Sequence, residues 1–206
     1  MRNIINISLA IFFWSVLHSW LASNKAKSLG QRLLGEVVSK HYRLIYNIFS
    51  IISFLPIIGI MSLLNDQRIY FVTKPWVFLI LFIQLIAMVI IYYSIKQTGV
   101  MDFIGWNFGY RKAYNSEKTL QTDGMYGVVR HPAYFAGLVI LWISPIMTVN
   151  YLTFCVCISL YLLIGTFFEE RKLLREFGEA YQLYKKKVPM LIPGTKWNNC
   201  RSITSK

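Results

Sequence analysis

The chain has 206 residues, 55% of them hydrophobic, 16% aromatic and only 15% charged, with a net charge of +13. A soluble domain of this length does not need so much apolar sequence for its core. The charges are confined to short segments between apolar runs, so they read as membrane topology and attraction to anionic lipid; no nucleic-acid partner is implied.

Five apolar stretches, near 4–22, 44–64, 75–95, 133–149 and 151–168, predict an all-α polytopic membrane protein with about five transmembrane helices. The first opens on Met1-Arg2-Asn3 and has no small-residue cleavage site after it, so it reads as an uncleaved span. Between the first two stretches, Leu29, Leu33 and Val37 recur every four residues, with Lys27, Arg32 and Lys40 elsewhere. That pattern predicts a short helix lying on the membrane surface. The last two stretches run nearly together, and Pro145 and Asn150 mark a turn, which predicts a tight helical hairpin.

Positive charge sets the orientation. Of 22 Lys and Arg residues, 19 lie in the first connection (Lys25, Lys27, Arg32, Lys40, Arg43), the third (Lys96, Arg111, Lys112, Lys118, Arg130) and the C-terminal segment. Only Arg2, Arg68 and Lys74 lie elsewhere. This alternation predicts an outside N-terminus and a cytoplasmic C-terminus. There is no internal repeat or linker, so residues 1–206 read as one domain: spans over 1–96, a more polar half over 97–193, and a tail over 194–206. Cys155, Cys157 and Cys200 make neither a disulfide framework nor a metal-ligand pattern, and no metal is predicted. The pair at 155 and 157 reads as small buried hydrophobes.

Polar sequence gathers in two blocks, 97–132 and 169–193, joined by the predicted hairpin. The ends of a hairpin lie together, so Arg130, His131, Glu169 and Glu170 should meet at the membrane boundary despite nearly forty intervening residues. Arg130 is a permanent cation suited to a carboxylate or phosphate. His131 precedes a proline and is therefore extended, while Pro132 can open the next helix without losing a hydrogen bond. Acids at the end of a membrane helix are costly unless paired. Neighbouring helical positions point ~100° apart, so one of Glu169 and Glu170 should share a cavity with Arg130. A cation and an anion in one pocket suit a zwitterion such as an amino-acid moiety. Each residue alone also fits a plainer role: topology anchor, interfacial histidine, solvated helix extension. The second block predicts a cytoplasmic helix over about 169–187, with Leu173, Leu174, Phe177, Tyr181 and Tyr184 on one side. Packing and ligand contact remain equally open for the two tyrosines. Lys185-Lys186-Lys187 reads as a lipid-headgroup anchor.

At these residues the chain resembles the isoprenylcysteine carboxyl methyltransferase superfamily, which includes phospholipid methyltransferases. The matching pieces are Gly124-x-Tyr126, Arg130-His131-Pro132-x-Tyr134, Gly137, Glu169-Glu170-x-x-Leu173, Phe177-Gly178-x-x-Tyr181-x-x-Tyr184 and Val188-Pro189, over roughly 119–193. The resemblance implies S-adenosyl-L-methionine bound by the C-terminal half, surrounded by Tyr126, Arg130, His131, Tyr134, Glu169, Glu170, Tyr181 and Tyr184. Trp142-x-Ser144-Pro145-x-Met147-Thr148-Val149, Asp102-Phe103-x-Gly105 and His18-Ser19-x-x-Ala22-Ser23 look like the bacterial branch that methylates methanethiol and the related NnrU-like proteins. That branch implies a bacterial inner membrane, membrane lipid as a partner, and a small thiol as acceptor. No catalytic residue is assigned; His131 is a proton acceptor on intrinsic pKa grounds, but its implied role is cofactor binding. Three alternatives stay open: a prenylcysteine carboxylate or lipid-like acceptor, an NADPH-dependent sterol-type reductase, and a non-enzymatic membrane partner. Against the reductase, the chain stops at about five spans.

Overall fold

The computed structural model describes residues 1–100 and 119–195. Expectations placed on Asp102, Phe103, Gly105, Arg111, Lys112, Lys118 and Cys200 lie outside the described residues, as does the side chain of Val37. In chain order the elements are α1 (Arg2–Leu21), α2 (Asn24–Leu63), β1 (Arg68–Phe71), α3 (Trp76–Thr98), α4 (Met125–Val128), α5 (Pro132–Trp142), β2 (Ile146–Thr148) and α6 (Val149–Lys187). The fold is all-α and polytopic, with one two-stranded ribbon among the described residues. Among the described residues, four helical segments are long and apolar enough to cross a membrane: Arg2–Leu21, His41–Leu63, Trp76–Thr98 and the apolar part of Val149–Lys187. Their outer faces are bare hydrocarbon, with Phe13 65% and Ile51 66% exposed. Water would penalise such surfaces; a lipid phase does not.

The described residues form two compact units. The first comprises Met1–Val72 and Pro145–Tyr161. Its core is Ile7, Ile11 and Ile57, with Trp14, Phe54 and Phe154 packed around them. Trp14 Nε1 donates to Ser53 Oγ at 3.1 Å and Tyr42 Oη to the carbonyl of Leu21 at 2.6 Å, fixing α1 against α2. The helix expected between the first two spans is present as the first part of α2, capped by Ser23 and interrupted at Gly35. Cys155 is wholly buried, as a small hydrophobe should be.

The second unit holds α3, residues 119–144, the polar half of α6 and the segment after it. Ala87, Ser94 and Ala136 are buried, and such small side chains let α3 and α5 approach closely. Gln84, the one amide within α3's apolar run, donates to the carbonyls of Ile140 (3.3 Å) and Ile143 (2.8 Å), satisfying the open end of α5.

Three expectations change in form. The stretch 133–149 yields only the eleven residues of α5, about 16 Å of helix against a hydrocarbon core of about 30 Å. The connection from α5 to α6 is more than a simple turn. Ile146–Thr148 is extended and pairs antiparallel with Arg68–Phe71, and Val72 N–H donates to the Pro145 carbonyl at 2.9 Å. Asp66 Oδ1 then receives the N–H of Asn150 at 3.0 Å, at the start of α6. Likewise the helix expected over 169–187 is no separate element but the continuation of the last apolar helix, interrupted at Gly178.

Candidate functional site

The site lies wholly within the second unit. Gly124, at φ +62°, turns the chain into α4, where Gln97 holds it: Gln97 Oε1 accepts from Met125 N–H at 3.3 Å. Val129 is extended (φ −141°, ψ 152°), and Pro132 opens α5 as its first residue, as the His-Pro pair predicts. Between them the backbone N–H groups of Arg130 and His131 donate to the carbonyls of Pro189 (2.9 Å) and Met190 (3.1 Å). The segment after α6 therefore lies along the start of α5.

α6 reaches this place because of Gly178. Glu170 and Lys185 are fifteen residues apart, which on a straight helix is about 22 Å. In the structure Lys185 Nζ is 2.8 Å from Glu170 Oε2. Gly178, at φ 54° and ψ −123°, supplies the reversal, in a backbone region that side-chain-bearing residues hardly enter.

Arg130 and Glu170 are at the centre, their side chains 4% and 6% exposed. Arg130 Nε donates to Glu170 Oε1 at 2.8 Å, and Nη2 contacts the same oxygen. Nη1 donates to the carbonyls of Val188 (2.5 Å) and Lys185 (3.2 Å). The guanidinium thus ties α5's start, the polar half of α6 and the segment after it into one knot. Burial pushes the Glu170 carboxyl up, but hydrogen bonds from Lys185 and Arg130, and their charges, hold it below the ordinary carboxylate value.

His131 is buried and its ring stacks on Tyr134, with centroids 5.5 Å apart and planes 4° from parallel. Nδ1 lies 3.6 Å from Glu169 Oε2, and Nε2 lies 3.5 Å from Glu170 Oε1. Burial lowers its pKa, and Glu169 and Glu170 only partly reverse this, so the imidazole is neutral at pH 7. Glu169 differs from its neighbour: its side chain is 42% exposed. Tyr181 is 1% exposed and its hydroxyl finds no hydrogen-bond partner. Burial, then the Glu170 charge, raises its pKa to about 12, so it stays a protonated donor. Tyr184 Oη donates to the Tyr126 carbonyl at 2.6 Å, and Tyr126 Oη to the Ser94 carbonyl at 3.4 Å.

All eight expected residues are therefore gathered in one unit, but not with equal freedom. Arg130 and Glu170 are spent largely on each other and on backbone carbonyls. Tyr184 and Tyr126 hold α6 against α4. Glu169, with its exposed carboxylate, and the Tyr181 hydroxyl are the groups that remain to meet a ligand. Sequence reasoning missed Lys185 as a partner of Glu170, because the lysine run reads as a headgroup anchor. It also missed Gln97 and Ser94 behind the site. The one signal for Lys185 was Gly178, a glycine in the middle of an otherwise helical pattern.

Residues 85–176 match the isoprenylcysteine carboxyl methyltransferase (ICMT) family. The chain is 41% identical over 88 residues to a methanethiol S-methyltransferase of Pseudomonas deceptionensis, covering 43% of this chain and 34% of that protein. It is 36% identical over 93 residues to one from Mycobacterium tuberculosis, covering 42% and 38%. To the protein-S-isoprenylcysteine O-methyltransferase of Schizosaccharomyces pombe it is 33% identical over 123 residues, covering 49% and 51%. The matched stretches thus span about a third of the two bacterial relatives and about half of the third. No solved structure matches the chain. The resemblance read from the sequence, to the superfamily and to its methanethiol branch, is borne out.

Proposed function

We propose that this chain is an integral membrane methyltransferase that uses S-adenosyl-L-methionine to methylate a small thiol such as methanethiol, giving a thioether. The observation that carries the reading is the group of residues around Glu169 and Tyr181. It offers one accessible carboxylate for an ammonium and one buried, unpartnered hydroxyl for a carboxylate or ribose oxygen. That donor and acceptor set fits the methionyl and nucleoside parts of the cofactor, with Tyr134, Tyr126, Tyr184 and His131 as walls. Arg130 and Glu170 act as the frame that orients the others.

When bound, the cofactor would supply an electrophilic methyl group on a positive sulfonium, and the residues around Glu169 and Tyr181 would hold and orient it. Thiolate is the nucleophile, so the acceptor must lose its proton. The neutral His131 imidazole and the Glu169 carboxylate are acceptors within this unit, but no base is assigned. The charge pattern favours a cytoplasmic C-terminus, and reporter fusions after residues 40 and 70 should read inside and outside.

The direct test is headspace detection of dimethyl sulfide from cells or proteoliposomes given methanethiol and the cofactor. Activity should rise with pH towards the thiol's own pKa and then level off. The relative from Schizosaccharomyces pombe favours a second reading, methyl esterification of a prenylcysteine carboxylate. That acceptor is already ionised at neutral pH, so its methylation should show no such rise. Ester formation without dimethyl sulfide would replace the thiol reading by this one.

A further inference from the structure

The first unit contains a cavity of about 340 Å³, lined by Leu17, Trp20, Leu29, Leu33, Tyr42 and Phe49 among others, with an almost wholly apolar wall. Its size falls in the range of small-molecule pockets. The wall offers a water too few of the two to four polar partners that would hold it. Hydrocarbon is the medium that fills such a space without loss.

The first part of α2 shapes both the cavity and its rim. Ala26, Leu29, Gly30 and Leu33 all line the cavity and recur at helical spacing. At 100° per residue, Lys25 and Lys27 fall roughly 90° and 110° to either side of that stripe. Both lysines are exposed, and so is Leu33 at 72%. Trp20 and Tyr42, the side-chain types that sit at headgroup depth, also line the cavity. Apolar stripe, flanking cations and interfacial aromatics are thus arranged as at a lipid surface. A flat surface helix would need no cavity; this one has space for part of a chain.

We propose that this cavity is a binding site for one acyl chain of an anionic phospholipid, whose negative headgroup is attracted to the rim by the positive charges of Lys25 and Lys27. The site is independent of the methyl-transfer reading, because every residue it uses lies in the first unit. Gly30 provides the means to close it. A Cβ there would stand 3.4 Å from the Tyr42 ring, in tolerable contact, and a longer side chain would extend into the cavity.

The test titrates the detergent-purified full chain with phosphatidylglycerol, phosphatidylcholine or glycerol 3-phosphate and counts retained adducts by native mass spectrometry. Phosphatidylglycerol should be retained roughly ten- to thirty-fold better than phosphatidylcholine, the advantage of two lysines at an anionic surface. Glycerol 3-phosphate, which has no acyl chain, should not be retained. Gly30→Leu should remove the adduct, and the double variant Lys25→Glu, Lys27→Glu should reduce phosphatidylglycerol to the phosphatidylcholine level. The double variant alters only exposed positions and decides the matter alone if Gly30→Leu fails to fold. Equal retention of the two lipids, retention of glycerol 3-phosphate as strong as that of phosphatidylglycerol, or an adduct indifferent to the double variant would each overturn the proposal.

Discussion

The two units solve the same problem, what to do with surface at the end of a membrane helix, in opposite ways. Around Arg130 and Glu170 the second unit buries charge and satisfies it almost completely with protein groups. Around Leu29 and Leu33 the first unit leaves apolar surface uncovered and keeps its charges outside. A buried charge pair is intolerant of change, since loss of one partner strands the other, whereas an open apolar face is tolerant of small change because lipid fills the gap. The difference separates a part built to hold fixed geometry from a part built to meet a fluid partner.

The comparison breaks most readily at Glu170. Glu170→Ala leaves Arg130 buried with only backbone carbonyls, and should cost about 3–5 kcal/mol. Thermal unfolding in detergent measures it. Acid adds a sign to this test. The folded Glu170 carboxyl lies below its ordinary value of 4.5, so its stabilisation is present above that pH and lost as pH falls through the folded value. Glu170→Gln should flatten that acid limb, and an unchanged limb would mean that other carboxylates carry it.

Gly178→Ala comes next. The side chain is strained at φ 54°, for about 1–3 kcal/mol, and the reversal of α6 that brings Lys185 to Glu170 should loosen. Cofactor affinity should fall together with melting temperature. A variant as stable as the parent would show that the reversal does not depend on the glycine.

Lys185→Ala is the smallest effect and sharpens the contrast. Its side chain is 50% exposed, so the ion pair should be worth less than about 1 kcal/mol despite its 2.8 Å length. A loss as large as that of Glu170→Ala would mean the knot is held from the outside.

Much of this was legible because bilayer thickness imposes long apolar runs. The predicted 4–22, 44–64 and 75–95 become helical segments at Arg2–Leu21, His41–Leu63 and Trp76–Thr98. His131-Pro132 predicted an extended residue and a helix start; the helix start is there, but His131, at φ −127° and ψ 67°, falls short of extended backbone because its N–H is already committed to the Met190 carbonyl. The rest depended on contacts that no local pattern carries. Arg68–Phe71 is four exposed residues with no alternation of burial, so only its pairing with Ile146–Thr148 makes it a strand. Choosing Glu170 over Glu169 required the direction of α6 at that turn, and pairing Lys185 with Glu170 required the break at Gly178. A helix-period reading keeps those two residues at opposite ends of one rod.

The segment that closes the knot is also made last among its parts. The Val188 carbonyl that receives Arg130 lies 58 residues downstream of it. At a synthesis rate of 5–20 residues per second, Arg130 is built roughly 3–12 s before that partner exists. Assembly of the knot is therefore tied to translation: the α5 segment can enter the bilayer early, but its charged foot stays unlocked until the far side of Gly178 has left the ribosome.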